Sequence, residues 1–273
     1  MDTHSGLDVL AFAAHPDDVE LCAGGTICTL VDRGARVGIV DLTRGELGSR
    51  GSAELRMQEA TRAGDVLGVT YRSNLGLPDG DIRNTPDTRM GVIRELRRHR
   101  PRIILINPPE CRHPDHAAAA RLVADAAFYS GLRRIEVSNA AHEQVLIDRR
   151  SDPGPPERTA EPLEPWRPQY VLHYMQAVEF EPTIVVDVSD VWERRTNALL
   201  SFESQFHNPE YRPGEDEPET FVSNPEFMKW IEARARVHGY RIGARYGEPL
   251  LLRQAVIGTD DLAGLLNRDR PFR

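Results

Sequence analysis

The sequence predicts an α/β fold: a doubly wound, mostly parallel sheet with helices on both faces. Two observations carry this expectation. From Leu7 to Gly131, short apolar runs alternate with longer amphipathic segments, which is the pattern of repeated strand–helix units. The runs "LDVLAFAA" and "RIILINPP" are also continuously apolar rather than alternating, as expected for strands buried on both faces of a parallel sheet.

The first strand is expected over Leu7 to Ala14. In "VELCAGGTICTLVDRG", Leu21, Ile27, Leu30 and Val31 share one helical face and Gly34 supplies the stop. Gly24 and Gly25 weaken this helix and point to a close approach of its backbone to something else. Ala35 to Thr43 reads as the second strand and completes a right-handed βαβ unit. A Gly- and Ser-rich loop, Arg44 to Ser52, leads into an amphipathic helix from Ala53 to Gly68. "YRSNLGLPDGDI" holds a short strand and a turn at Pro78-Asp79-Gly80. "TRMGVIRELRRHRP" is a helix stopped by Pro101, and Arg102 to Pro109 is the next strand. "ECRHPDHAAAARLVADAAFYSG" gives a loop and an Ala-rich helix ending at Gly131.

Beyond this point the texture changes. Residues 149–168 are rich in Pro and acid and are expected to form an exposed insertion. "QYVLHYMQAVEF" and "TIVVDVS" read as strands, "VWERRTNALLSFESQF" as a helix, and "HNPEYRPGEDEPET" as a polar loop. "NPEFMKWIEARARVHGYRIG" reads as a helix ending near Gly239, followed by the tail "GEPLLLRQAV". The later strands are expected to extend the same sheet, so residues 1–273 are read as one domain.

Composition narrows the function classes. A net charge of −8 argues against a general nucleic-acid binder, which would show a basic face. No run reaches the roughly 18 apolar residues of a membrane span, and the first residues lack a signal peptide's basic and apolar regions. Cys22, Cys28 and Cys111 are too few and too oddly spaced for a disulfide framework or a structural zinc, which suits a reducing cytoplasm.

The chemistry concentrates at two strand ends. "AAHPDDVELCAGGT" ends the first strand on His15, Asp17 and Asp18, and "CRHPDH" follows the strand "RIILINPP" with His113, Asp115 and His116. In a doubly wound sheet such ends can meet in one crevice. His15, Asp18 and His116 would then make two imidazoles and one carboxylate, which suits a catalytic Zn²⁺ with one open position; the same set suits Fe²⁺. A cation would also make the adjacent acids tolerable. Asp17 would be left to move a proton, and His113 to meet a developing oxyanion as a cation supported by Asp115. Spacing alone leaves open which of His113 and His116 is the ligand.

Blander readings compete with these. A lone His-Pro-Asp is usually a turn or helix cap, and acids in a first helical turn satisfy free N–H groups. It is the pairing of two such clusters that favours a metal site. His4, His99, His142, His173, His207 and His238 are read as surface or packed residues, and Cys111 as a bystander. Gly24 and Gly25 do not form the glycine pattern of a dinucleotide site. Arg56 is assigned to substrate binding, against a salt bridge to Glu59; Arg44 and Arg50 are weaker choices.

These motifs together resemble the PIG-L/LmbE-like family of zinc-dependent N-deacetylases, from about Asp8 to Pro249. "LTRGELGSRGSAELRMQEA", "NLGLPDGDI", "RHPDHAAAARLVADAAFYSGL" and "WIEARARVHGYRIGARYGE" look most similar to bacterial deacetylases of bacillithiol biosynthesis, which act on N-acetylglucosaminyl-malate. The resemblance implies a Rossmann-like fold and zinc held by His15, Asp18 and His116. It implies Asp17 as base and then acid, His113 as oxyanion stabiliser tuned by Asp115, and Arg56 as a substrate contact. It also implies a homo-oligomer, often a hexamer in the family, and in some members a flap tyrosine. The nearest aromatic residues for that role here are Phe227 and Tyr211. The rival readings are the same chemistry on a chitooligosaccharide or thiol conjugate, a non-haem iron protein, and a metal- or sugar-binding protein without turnover.

Overall fold

A computed structural model of the chain describes residues 6–139, 144–150, 162–211, 214 and 216–253. Among these residues eight strands form one sheet in the order β5-β3-β2-β1-β4-β6-β8-β7. The strands are β1 (Val9–Ala13), β2 (Val37–Thr43), β3 (Tyr71–Leu77), β4 (Ile103–Ile106), β5 (Gln144–Asp148), β6 (Tyr170–Tyr174), β7 (Ile184–Asp187) and β8 (Gly247–Leu252). The central five, β3-β2-β1-β4-β6, are parallel. β5 joins β3 antiparallel at one edge, and β8 runs antiparallel between β6 and β7 at the other. This is the expected doubly wound, mostly parallel sheet, with its later strands added to the same sheet.

Among the described residues six α-helices cover the faces: α1 (Asp18–Asp32), α2 (Ala53–Leu67), α3 (Pro86–His99), α4 (Pro114–Tyr129), α5 (Trp192–Leu200) and α6 (Pro225–Tyr240). β1 is buried along its whole length, so its alternate side chains feed two separate cores. Val9, Ala11 and Ala13 pack with Ile27, Leu67 and Leu250 on the face of α1 and α5. Leu10 and Phe12 pack with Val92, Leu96 and Leu122 on the face of α3 and α4. A third cluster, with Phe202, Phe206, Phe227 and Ile231 at its centre, joins α2, α5 and α6.

Local chemistry sets the helix ends. Ser52 caps α2 through its side chain, and Gly68 ends it in the left-handed region at φ 80. Thr85 and Thr88 cap each other at the start of α3, and Arg100, in the left-handed region at φ 50, ends it just before Pro101. Among the described residues no helix is long and apolar enough to cross a membrane.

Two sequence expectations shift. β5 was not foreseen: its exposed Gln144, Val145 and Asp148 give no period, and its place comes from pairing with β3. "GEPLLLRQAV" contains β8 rather than only a tail, because Leu250 and Leu252 bury against β6 and β7. Of the expected exposed insertion, 151–161 lie outside the described residues. Of the rest, Arg149, Pro162, Glu164 and Arg167 are exposed as expected, whereas the partly buried Leu163 packs on the α3–α4 core and the Trp166 indole N–H donates to Pro101 O at 2.8 Å.

The close approach expected at Gly24 and Gly25 is to protein. Gly25 N–H donates to Glu248 Oε1 at 2.9 Å, and the Thr26 N–H and hydroxyl donate to Glu248 Oε2 at 2.6 and 2.7 Å. A β8 carboxylate therefore enters the middle of α1. A Cβ on Gly25 would lie 2.7 Å from Val188 Cβ.

Candidate active site

The strand order reverses between β1 and β4, and both turn into helices at the same edge of the sheet. The chain leaves β1 through Ala14 to Asp17 into α1, and leaves β4 through 107–113 into α4. Strand-end crevices of this kind are where ligands bind in open α/β sheets. The two clusters meet there. The ring centroid of His15 lies 4.7 Å from that of His113 and 5.4 Å from that of His116. Asp18 lies between two imidazoles, with Oδ2 3.7 Å from His15 Nδ1 and Oδ1 3.3 Å from His116 Nε2.

Asp17 occupies the N-cap position of α1 but makes no capping hydrogen bond. Its backbone sits at φ 124, a conformation that costs a non-glycine residue of the order of 1–3 kcal/mol and is typical of functional sites. The bland reading of this acid as a helix cap therefore fails, and its carboxylate faces the pocket. Its charged neighbour is Arg56, with Nη2 3.5 Å from Asp17 Oδ2. Glu59, the alternative partner for Arg56, instead accepts from Ser204 N and Oγ, both at 2.8 Å. Gly45 holds φ 66 directly over the Arg56 guanidinium, where a Cβ would lie 2.2 Å from Nη1. Arg56 Nε is buried without a hydrogen-bond partner among the described residues.

His113 serves as the N-cap of α4, and its Nδ1 accepts the Asp115 N–H at 3.3 Å. An accepting Nδ1 places the proton of a neutral ring on Nε2. Burial, reinforced by the His15 and His116 imidazoles, also lowers the His113 pKa. Both features favour the neutral ring, with Nε2–H as donor, where the sequence reading expected a cation. Asp115 touches it through the backbone. Its carboxylate instead accepts from Gly80 N at 2.8 Å and lies 3.4 Å from His15 Nε2.

The electrostatics of the pocket suit a cation. Burial alone would lower His15, but Asp115, Asp79 and Asp18 together raise it to about 9. Burial would likewise lower His116, and Asp18 and Cys111 raise it to about 10. For Asp18, burial is outweighed by His116 and His15, which hold its carboxyl well below the ordinary range. Burial raises Asp17 to about 7, against the pull of Arg56. A field that draws protons onto two imidazoles is one that also favours a divalent cation. Two groups of donors lie within 4.8 Å of one another, His15 with His113 and His116, and His15 with Asp79 and Asp115. Asp18, the carboxylate expected from sequence, stands outside both groups but touches His15 and His116, and nitrogen and oxygen donors of these kinds fit zinc or another borderline metal.

Four polar residues missed in the sequence complete the surroundings. Asp79 Oδ1 lies 3.0 Å from His15 Nε2. Asn107 Nδ2 donates to Asp18 Oδ2 at 3.1 Å, and Gln176 Nε2 donates to Asp18 Oδ1 at 2.7 Å. Cys111, read as a bystander, has Sγ 3.0 Å from His116 Nδ1. Three of these follow the carboxyl ends of β3, β4 and β6, which is the positional signal that would have found them. Arg50 reaches Glu217 and Tyr211 instead of the pocket, and Arg44 is exposed. His99, His173 and His238 are buried packing residues and His207 is exposed, while His4 and His142 lie outside the described residues.

The pocket that collects these groups has a volume of about 460 Å³. Opposite the imidazoles its wall is aromatic: Phe206, Phe221, Phe227 and Trp230. Arg112 stacks over Phe221 at 4.8 Å, and Arg234 stacks over Trp230 at 4.8 Å. Of the two aromatic residues considered for a flap, Phe227 lines the wall, whereas the Tyr211 hydroxyl donates to Glu217.

Residues 10–127 match the PIG-L family, described as GlcNAc-PI de-N-acetylase. The chain is 31% identical over 212 residues to the diacetylchitobiose deacetylase of Thermococcus kodakarensis, covering 72% of this chain and 70% of that one. It is 27% identical to the probable N-acetyl-alpha-D-glucosaminyl L-malate deacetylase 2 of Bacillus cereus, covering 72% of this chain and 83% of that one. Among solved structures, a conserved protein of Thermus thermophilus superposes with a TM-score of 0.75 at 32% identity, covering 93% of this chain and 98% of that one.

Proposed function

Since the chain belongs to the PIG-L, or GlcNAc-PI de-N-acetylase, family, we propose that it is a metal-dependent hydrolase removing the acetyl group from an N-acetylated amino sugar. The observation that carries this reading is the meeting of the two strand-end clusters in one pocket, with Asp17 held uncapped and strained beside them.

His15, Asp18 and His116 would hold the metal, zinc being the first choice and Fe²⁺ the second. Such an ion would supply Lewis acidity and ease the deprotonation of water. Asp17, with its raised pKa, takes the proton from the attacking water and returns one to the departing nitrogen. The His113 Nε2–H donates to the amide oxygen as it gains charge, and its capping bond to Asp115 N keeps that tautomer in place. Arg56, which lines the pocket beside Asp17, offers its guanidinium to a substrate oxygen. The amide and water leave as acetate and a free amine.

The aromatic wall suits the apolar face of a sugar ring. Arg112 and Arg234 on its rim favour carboxylates beyond the sugar, as in N-acetyl-α-D-glucosaminyl L-malate; the rings alone favour diacetylchitobiose. Acetate release from both compounds, with and without a chelator, tests the proposal. Turnover of the malate glycoside in preference to the disaccharide supports the arginine reading. Chelator-insensitive turnover, or oxygen consumption without acetate, would refute the metal-dependent deacetylase.

A further inference from the structure

Behind His15, Asp18 and His116 stands a second layer of side chains, and each of the three has its own partner there. Asn107 and Gln176 form one unit. Asn107 Nδ2 donates to Asp18 Oδ2 at 3.1 Å and to Gln176 Oε1 at 3.0 Å, while Asn107 Oδ1 accepts from Ala14 N at 3.0 Å. Gln176 Nε2 donates to Asp18 Oδ1 at 2.7 Å. Both amides are buried, and flipping either one would set an oxygen against the Asp18 carboxylate. The orientation of the pair is therefore fixed, and with it the plane of Asp18.

The two imidazoles are aimed in the same way. Asp79 Oδ1 sits 3.0 Å from His15 Nε2, and its other oxygen is anchored by Leu47 N–H at 2.8 Å. With Nε2 carrying the proton toward Asp79, the free nitrogen of His15 is Nδ1, on the side of Asp18. With Nδ1 carrying the proton toward Cys111 Sγ, 3.0 Å away, the free nitrogen of His116 is Nε2, on the side of Asp18. Partners of this kind fix the tautomer and direction of metal-binding imidazoles.

We propose that Asp79, the Asn107–Gln176 amide pair and Cys111 are positioning residues that aim His15, Asp18 and His116 at one point, and that they set the affinity of the pocket for a divalent cation. The proposal rests on the reading of those three residues as the metal-holding set.

Zinc affinity of the full chain, measured by competition with a chromophoric chelator, tests it without reference to turnover. Asp79→Ala and Gln176→Leu are each expected to weaken zinc binding by about 10–100-fold. Asp79→Asn keeps an acceptor for His15 Nε2–H and is expected to stay near the unaltered protein, whereas a direct ligand role for Asp79 would make it as weak as Asp79→Ala. Cys111→Ala provides an independent arm if either variant fails to fold, and is expected to weaken binding where Cys111→Ser restores it. Unchanged affinity in the folded Asp79→Ala, Gln176→Leu and Cys111→Ala variants overturns the proposal while leaving the metal reading standing. Failure of the unaltered protein to bind zinc overturns the metal reading itself.

Discussion

Arg72 has no exposed surface, yet it carries a charge through the centre of the molecule. Its guanidinium grips Asp41 through Nε at 2.8 Å and Nη2 at 3.0 Å, reaches Glu20 Oε1 at 2.5 Å, and donates to Ala60 O at 3.0 Å. One side chain thus ties β3 to β2, α1 and α2 just beneath the pocket. Arg72→Leu would strand two buried carboxylates, so a loss of about 3–5 kcal/mol is expected in urea unfolding. Glu95 makes a second prediction. Burial alone would raise it, but His99, Arg98 and Ser73 outweigh burial and hold it at about 2, below its ordinary 4.5. Since the folded value is the lower one, this stabilisation is fully present above about pH 4.5 and fades as pH falls toward 2. Glu95→Gln is expected to flatten that part of the acid-unfolding curve; an unchanged curve would contradict the assignment. At this scale the sequence was legible where the residue type was itself unusual. His and Asp pairs closing an apolar strand have few structural uses, so His15, Asp17, Asp18, His113 and His116 stood out. Asp79 in a Pro-Asp-Gly turn, and Asn107 and Gln176 after strands, did not, because turn residues of these types have ordinary backbone roles.

The helix that presents Asp18 is unusual in accepting a foreign carboxylate along its length. Glu248 takes the N–H groups of Gly25 and Thr26, and Arg195 donates to the carbonyl of Leu21 that Gly25 would otherwise use. Only a residue without a Cβ lets β7 and β8 come this close, which accounts for the glycine pair that weakened the helix in the sequence. Gly25→Ala is expected to cost about 1–3 kcal/mol through overpacking against Val188, read as a lower urea midpoint. An unshifted midpoint would mean that the contact relaxes freely. Elements were legible wherever a period or a stop signal was strong, as in α2 with Gly68 and α3 with Pro101. β5 and β8 were not, since an edge strand needs only one buried face and takes its identity from its neighbour.

For the molecule as a whole, the reversal of strand order beside β1 decides what becomes a site. It brings residues about a hundred positions apart into one pocket, and it sets the aromatic wall from α6 and the preceding loop opposite them. Most of that wall was not legible: Phe227 stood out only through the family resemblance, and Phe206, Phe221 and Trp230 read in sequence as ordinary apolar positions. Trp230→Ala is expected to raise KM several-fold for a two-ring substrate with little change in kcat, since stacking contributes roughly 0.5–1.5 kcal/mol. An equal fall in kcat would move Trp230 from binding into catalysis. The central claim is that Asp17 moves the proton in a metal-dependent deacetylation. The most direct measurement compares acetate and free amine released by the zinc-loaded protein and by its folded Asp17→Asn variant, on diacetylchitobiose and on N-acetyl-α-D-glucosaminyl L-malate. The account predicts acetate and amine in equal amounts from the unaltered protein, and a loss of about 10²–10⁴-fold or more in the variant with zinc still bound. Undiminished release by Asp17→Asn, or no acetate from either compound, would contradict it.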